Sequence, residues 1–266
     1  MTNPKMRHSV RFAFFGNAPL VDGVLEELAR AGLTPTLTVT STELSPEFIT
    51  ELSRSEWDAF VVASFGKILP RSFLDLPRRG TVNVHPSLLP HLRGPSPIRS
   101  AILQDEKETG VTIMLLDEKV DHGPIIAQKK VPLSAWPARG RELDHALAHE
   151  GGKLLAQVLP GWVAGEIEAR PQNHDLATYC RTFKKEDALL DLSGDAYQNL
   201  LRIRAYEGWP IAYAFFERAG KRLRVQILEA HLEGARLIMD IVKPEGKAEM
   251  PYQAFLNSGA KPMAAT

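Results

Sequence analysis

The stretch TVNVHPSLLPHLRGPSPIRSAIL spans residues 81–103 and contains the pattern of a strand, a loop and a helix in close succession. Its first segment, Thr81–His85, follows the turn residue Gly80 and is rich in β-branched side chains, which predicts a short buried strand. Further along, Ser96 is placed to cap a helix that runs to Leu103. A strand that leads through a loop into a helix is the repeating unit of an α/β fold.

Segments of the same kind lie on both sides of this stretch. Short apolar runs predict further strands at Val10–Phe15, Ala59–Ser64, Val111–Leu116 and Ile125–Val131, and the Thr- and Val-rich segment Thr34–Thr40 predicts another. Helical spacing predicts helices from Pro19 to Gly32, from Ser45 to Leu52 and from Glu142 to Val158. Strands that alternate with helices indicate βαβ units, so we predict a Rossmann-like, mainly parallel sheet.

The C-terminal third of the chain has a different pattern. Residues 162–182 are polar with weak periodicity, which is typical of a linker. Three short runs then predict strands separated by glycines, at Ala212–Phe216, Leu223–Glu229 and Arg236–Val242. We therefore predict an α/β domain over residues 1–180 and a small β-rich domain over residues 181–266.

Composition narrows the class of protein. The chain has 32 Lys and Arg against 32 Asp and Glu, so any nucleic-acid site has to be a local basic patch. Cys180 is the single cysteine, which excludes an intramolecular disulfide and favours a reducing, cytoplasmic setting. The polar segment Met1–Val10 lacks the apolar core of a signal peptide, and no apolar run is long enough to span a membrane. We expect a monomer with no membrane partner.

Polar side chains that can take part in catalysis lie near the predicted strand ends, where α/β sheets bind ligands. Strand alternation puts Asn83 and His85 on the same face. Asp121 follows a predicted strand and precedes Gly123-Pro124, and we expect this turn to return its carboxylate to the same place.

An amide, an imidazole and a carboxylate together suit acyl transfer. The imidazole carries a proton, the carboxylate orients it and raises its basicity, and the amide donates a hydrogen bond to a developing oxyanion. No Ser or Cys lies at a nucleophile elbow, so the amine of the substrate can itself be the nucleophile.

Two other kinds of site are disfavoured. His85, His91 and His122 lie in neither an HxxxH nor an HExxH pattern, so we expect no metal. The segment after Phe15 lacks the GxGxxG pattern of a dinucleotide site.

The order and spacing of several motifs resemble those of the folate-dependent formyltransferase family. These are Asn-Val-His at 83–85, Ser-Leu-Leu-Pro at 87–90, Arg-Gly at 93–94 and the Asp-His-Gly turn at 121–123. The resemblance implies the formyltransferase fold, 10-formyltetrahydrofolate as the formyl donor, and Asn83, His85 and Asp121 as the catalytic residues. It also implies folate contacts by Ser87, Leu88, Leu89, Pro90, Gly66, Ile68 and Leu69.

Later motifs resemble the members of that family that formylate methionyl-tRNA. They are Arg93–Ile98, Thr109–Met114, Ile203–Pro210 and Lys243–Lys247. This resemblance implies initiator methionyl-tRNA as the acceptor, a role in translation initiation, and an OB-like C-terminal domain. The basic residues Arg204, Lys221 and Arg222 are then candidates for RNA contact, although a charge run is more often a solvated face.

Two departures from those members leave the acceptor open. No Lys or Arg occurs between Thr40 and Arg54, where they carry a basic insertion, and the segment from Ala230 to Leu237 is shortened. Both changes fall on parts that face tRNA in the family, so a sugar-nucleotide N-formyltransferase is the first alternative. A non-catalytic RNA-binding module is the second, and the intact trio argues against it.

Overall fold

The computed structural model describes residues 10–40, 44–133 and 135–263. The predictions made for the N-terminal segment before Val10, and for part of the Thr40–Ser45 connection, lie outside the described residues. The chain divides into two compact units. The first comprises Met1–Pro95, Glu108–Pro132 and Asp144–Tyr179, and the second comprises Ser96–Lys107, Leu133–Leu143 and Cys180–Thr266.

The first unit contains a six-stranded sheet. Its strands are β1 (Phe12–Gly16), β2 (Leu37–Val39), β3 (Ala59–Ala63), β4 (Thr81–His85), β5 (Thr109–Leu115) and β6 (Ile125–Val131). They are ordered β2-β1-β3-β4-β5-β6, and the first four run parallel. The prediction of a mainly parallel sheet is confirmed. Strands β1, β3 and β4 are buried along their whole length, as strands covered on both faces are expected to be.

The last two strands reverse the direction of the sheet, which the sequence analysis did not predict. Strand β5 runs antiparallel to β4 and β6 runs antiparallel to β5. Only residues 116–124 connect β5 to β6, and a connection that short has no room for a helical crossover. Because Leu115 pairs with Val82, this connection starts beside the beginning of β4.

Seven α-helices occur in the described part of the chain. They are α1 (Val21–Arg30), α2 (Pro46–Leu52), α3 (Arg71–Leu74), α4 (Pro97–Leu103), α5 (Gly140–Ala164), α6 (Ala196–Ala205) and α7 (Tyr252–Asn257). Ser45 caps α2 as predicted, since its hydroxyl accepts from Phe48 N at 3.2 Å. Ser96 occupies the predicted position before the first residue of α4. The predicted capping hydrogen bond is wrong, because the side chain of Ser96 makes none.

The second unit contains a five-stranded antiparallel sheet. Its strands are β7 (Tyr213–Arg218), β8 (Lys221–Glu233), β9 (Arg236–Pro244), β10 (Met250–Pro251) and β11 (Lys261–Pro262), in the order β10-β9-β8-β7-β11. The three predicted strands are present as β7, β8 and β9, so the β-rich character of this region is confirmed. One face carries an apolar core that includes Phe216, Val225, Ile227 and Phe255. An OB-like topology stays a prediction.

Candidate active site

Three side chains that are distant in the sequence meet over strand β4. Asn83 and His85 project from the same face of β4, and Asp121 lies on the β5–β6 connection. The Oδ1 atom of Asp121 is 3.4 Å from Asn83 Nδ2 and 3.6 Å from His85 Nδ1. All three residues are at least nine-tenths buried. The structure therefore brings together the three residues that the sequence singled out as catalytic.

The backbone around Asp121 aims its carboxylate at these partners. Asp121 has a φ of 46°, in the left-handed region that Asp tolerates better than most residues. Its second oxygen, Oδ2, accepts a hydrogen bond from Gly94 N at 2.7 Å. Because one oxygen is held by Gly94 and the other faces Asn83 and His85, the carboxylate has a defined orientation.

The partners of His85 decide which of its ring nitrogens is available for chemistry. Its Nε2 lies 3.0 Å from the carbonyl oxygen of Leu92, which can only accept, so we assign a proton to Nε2. The other nitrogen, Nδ1, faces the Asp121 carboxylate. Nδ1 is therefore the ring nitrogen left free of a backbone partner, and it lies beside the carboxylate.

The hydroxyl nearest in sequence to this site is already engaged. Ser87 is buried, and its Oγ donates to the carbonyl oxygen of His91 at 2.7 Å. Its own carbonyl accepts from Thr112 Oγ1 at 2.6 Å. Ser87 is thus arranged to fix the loop after β4. This arrangement fits chemistry in which an external amine attacks directly.

The residues expected at the folate lie on two neighbouring loops. One loop holds Gly66, Ile68 and Leu69 after β3, and the other holds residues 87–90 after β4, so they follow adjacent parallel strands. Leu69 is buried in the sheet's aromatic core, whereas the side chain of Ile68 is 84% exposed. Leu89 is fixed through its backbone, since its N–H donates to Thr112 Oγ1 at 3.2 Å and its carbonyl accepts from Gln128 Nε2 at 2.8 Å. Their folate contacts stay predictions.

The residues expected to contact RNA all belong to the second unit. Lys221 and Arg222 are exposed at the start of β8, and the guanidinium of Arg222 lies 3.6 Å from the ring centroid of Phe215. Arg204 lies on α6, and its buried Nε has no hydrogen-bond partner among the described residues. A guanidinium stacked on an aromatic ring is pre-ordered for contact with phosphate. RNA contact by these residues stays a prediction.

The structure also places residues at the site that the sequence analysis missed. Gly94 lies in one of the family motifs and Gln172 in the predicted linker, and the sequence predicts neither as a site residue. That segment is instead joined to the first unit, because Ile125 and Arg170 exchange two backbone hydrogen bonds of 2.8 Å each. Gln172 donates to two carbonyls of the Asp121 turn. Polar composition alone gave no signal for this role.

Two features are absent from the described part of the chain: clusters of metal-ligating side chains and helices able to cross a membrane. Within residues 10–40, 44–133 and 135–263, no group of three or more His, Cys, Asp or Glu side chains is arranged to hold a metal ion. None of the described helices combines the length and the apolar character that crossing a bilayer requires.

Comparison with known proteins gives a consistent family. Residues 24–159 match the family described as "Formyl transferase". A methionyl-tRNA formyltransferase from Chloroflexus aurantiacus is 47% identical over 180 residues, which is 68% of this chain and 57% of that protein. A methionyl-tRNA formyltransferase from Roseiflexus castenholzii is 35% identical over 260 residues, covering 89% of this chain and 81% of that protein. The Chloroflexus alignment thus spans little more than half of the relative's length.

Solved structures share the fold at lower identity. A methionyl-tRNA formyltransferase from Clostridium thermocellum superposes with a TM-score of 0.66 at 17% identity, over 88% of this chain and 99% of that chain. HypX from Aquifex aeolicus, solved in complex with tetrahydrofolic acid, has a TM-score of 0.72 at 18% identity, over 94% of this chain and 47% of that chain. The family match, these relatives and the shared fold lead to one conclusion: this chain belongs to the formyl transferase family.

Proposed function

We propose that this protein transfers a formyl group from 10-formyltetrahydrofolate to the α-amine of methionine on initiator methionyl-tRNA. The observation that carries the proposal is the meeting of Asn83, His85 and Asp121 at distances of 3.4 and 3.6 Å. The donor is a co-substrate, and no metal takes part. Curated relatives that are methionyl-tRNA formyltransferases support this acceptor.

In the proposed reaction, the neutral amine attacks the formyl carbon and the carbonyl oxygen gains the negative charge. The Nδ2 group of Asn83 and a protonated Nδ1 of His85 donate to that oxygen, while Asp121 stabilises the imidazolium. The C–N10 bond of the donor then breaks. A proton passes from the former amine to N10 as the intermediate collapses, with His85 and Asp121 at hand to relay it.

The loops after β3 and β4 are the proposed folate site. Leu88, Leu89 and Pro90 would form one wall, Ile68 and Leu69 the other, and Gly66 and Ser87 would shape the loops. The side chain of Ile68 is apolar and exposed, and a bound pterin ring would remove it from water. The proposal also includes RNA contact by Arg204, Lys221 and Arg222, a domain boundary at residue 180, and a monomer in the cytoplasm.

The experiment that tests the proposal offers the purified protein 10-formyltetrahydrofolate with methionyl-tRNA and, in parallel, with amino-sugar nucleotides. Mass spectrometry identifies the amine that gains the formyl group. We expect formylmethionyl-tRNA. The sugar alternative is favoured by the absence of Lys and Arg between Thr40 and Arg54, and formylation of a sugar alone would establish it.

Two measurements test whether Asn83, His85 and Asp121 catalyse a reaction. The two measured quantities are the binding of the donor to the wild-type protein and the release of tetrahydrofolate. An enzyme should show both, whereas an RNA-binding module that has kept the fold should show neither. Binding of methionyl-tRNA without any binding of the donor would support the module and contradict the proposal.

A further inference from the structure

The turn that carries Asp121 is held from behind by Gln172. The side chain of Gln172 is 94% buried, and its Nε2 donates to Asp121 O at 2.9 Å and to Gly123 O at 2.7 Å. These two carbonyls belong to Asp121 itself, which has the positive φ, and to the residue two positions later in the same turn. One amide group therefore fixes the backbone of the turn at both of these residues.

Gln172 is in turn oriented by a buried arginine. Its Oε1 accepts from Arg93 at two atoms, from Nε at 3.1 Å and from Nη2 at 2.6 Å. A guanidinium only donates, so this contact fixes which end of the amide is oxygen and which is nitrogen. The amide cannot turn over without facing donors with donors, and its N–H groups must point at the Asp121 turn.

Arg93 is a buried cation, and within the described residues its side chain has only neutral hydrogen-bond acceptors. Besides Gln172, its Nη1 donates to Tyr179 OH at 3.3 Å and its Nη2 to His174 Nδ1 at 2.9 Å. Desolvation, with the charges of His122 and Arg93 beside it, lowers the pKa of His174, which keeps that ring neutral and able to accept. Arg93 is 1% exposed, and burying a cation costs free energy that its hydrogen bonds to these neutral acceptors offset.

The same short segment reaches Asp121 from two directions. Gly94 N donates to the carboxylate itself at 2.7 Å, while Arg93 acts through Gln172 on the backbone of the same residue. The carboxylate and the backbone of Asp121 are thus fixed by separate hydrogen bonds. A shift of the turn would separate Asp121 Oδ1 from His85 Nδ1, which are 3.6 Å apart.

We propose that Gln172 is a positioning residue for formyl transfer: its amide, locked by Arg93, holds the turn that aims the Asp121 carboxylate at His85. The inference rests on the proposed function, because Asp121 must be a catalytic residue for its position to matter. A purely structural alternative exists, in which Gln172 only satisfies two buried carbonyls.

The substitution Gln172→Glu separates the contact of residue 172 with Arg93 from its contact with the turn. Glutamate keeps the acceptor for Arg93 and adds a favourable charge pair with it. It also places a carboxylate oxygen against the carbonyl oxygens of Asp121 and Gly123, where N–H groups are needed. The variant therefore keeps the interaction with Arg93 and loses the hydrogen bonds to the turn. Gln172→Met removes both contacts.

A matched control is available in Asn199. Its side chain is 4% exposed, and its Nδ2 donates to a backbone carbonyl, that of Asp191, at 2.6 Å. Asn199→Leu therefore removes the same kind of buried amide contact in the second unit, away from Asp121 in the chain. It should lower the thermal midpoint without changing turnover.

The measurements are kcat, the KM for the donor and the thermal midpoint of the three variants. For Gln172→Glu we expect kcat to fall about a hundredfold, the loss that a misplacement of roughly 1 Å can cause. The KM for the donor should stay near its wild-type value. The charge pair with Arg93 should keep the fall in the thermal midpoint no larger than that of Asn199→Leu. Turnover at the wild-type rate in Gln172→Glu would overturn the inference, and so would an equal loss in Asn199→Leu.

Crystal structures of the wild type and Gln172→Glu make the test independent of the acceptor. If the wild-type protein formylates no methionyl-tRNA, the proposed function fails. The hydrogen bonds from Gln172 to the turn still predict a displaced Asp121 in the variant. We expect the Gly94 N to Asp121 Oδ2 contact to be broken or lengthened. An Asp121 that stays in place would refute the positioning role whatever the acceptor proves to be.

Discussion

Replacing Asp121 by asparagine is the most direct perturbation of the proposed chemistry. The change keeps the size of the side chain, and asparagine tolerates the positive φ of this position as well as aspartate does. It removes the negative charge beside His85. It also forces an N–H group of the new amide to face a donor, either Gly94 N or Asn83 Nδ2.

The magnitude follows from the geometry. With 3.6 Å between His85 Nδ1 and Asp121 Oδ1, the attraction between imidazolium and carboxylate is about 5 kcal/mol at an effective dielectric constant of about 20. If this attraction is expressed in the transition state, its loss lowers kcat by roughly three to four powers of ten. Binding of the donor involves other loops, so its KM should change little.

The assay is single-turnover formyl transfer to methionyl-tRNA, with circular dichroism and thermal unfolding as checks on the fold. Asp105→Asn is the matched control. Asp105 also has a positive φ, of 56°, and its carboxylate accepts from Trp136 Nε1 at 2.6 Å and Tyr197 OH at 2.7 Å. The control should lose stability and keep its rate. A rate for Asp121→Asn close to that of the wild type would refute the reasoning.

Three further predictions concern the turn and the ionisable groups. Gly123→Ala should lower both kcat and the thermal midpoint, because the added Cβ would collide with the carbonyl oxygen of Leu115; wild-type values for both would show that the turn can adjust. Arg181 and the backbone N–H of Lys184 lower the pKa of Asp187 to about 2, so its stabilising effect is complete above the unfolded pKa and is lost as the pH falls toward 2. Urea unfolding from pH 6 to about pH 2 should accordingly show a shallower acid loss for Asp187→Asn than for the wild type, and equal slopes would contradict the assignment. The hydrogen bond to Asp240, at 2.8 Å, raises the pKa of His231. Its stabilising effect is therefore present at low pH and is lost as the pH rises through that pKa. NMR titration of Asp240→Asn should show a lower midpoint for the His231 ring, and an unchanged midpoint would contradict the role of Asp240.

The parallel part of the sheet and the meeting of Asn83, His85 and Asp121 could be predicted because both have local signatures. Buried strands show as short apolar runs, and Asn83, His85 and Asp121 are residue types whose polarity stands out at strand ends. The reversal at β5 could not be predicted in the same way, because strand direction depends on pairing with β4 rather than on the composition of β5. Helix α6 was also missed, although Asp195 carries a capping signal that accepts from Gln198 N at 2.7 Å.

The residues that support Asp121 have no such signature, and the physical reason is general. Gly94 acts through a backbone N–H and Gln172 through an amide, and neither group changes protonation state or binds strongly in isolation. Their effect depends on where three segments of the chain meet: the loop after β4, the β5–β6 connection and the segment after α5. A carboxylate fixed at both its side chain and its backbone loses little entropy when an imidazolium forms beside it. The rate of this site should therefore depend on residues that never touch the substrate, and the ratio of kcat loss to stability loss is the quantity that distinguishes them from ordinary core residues.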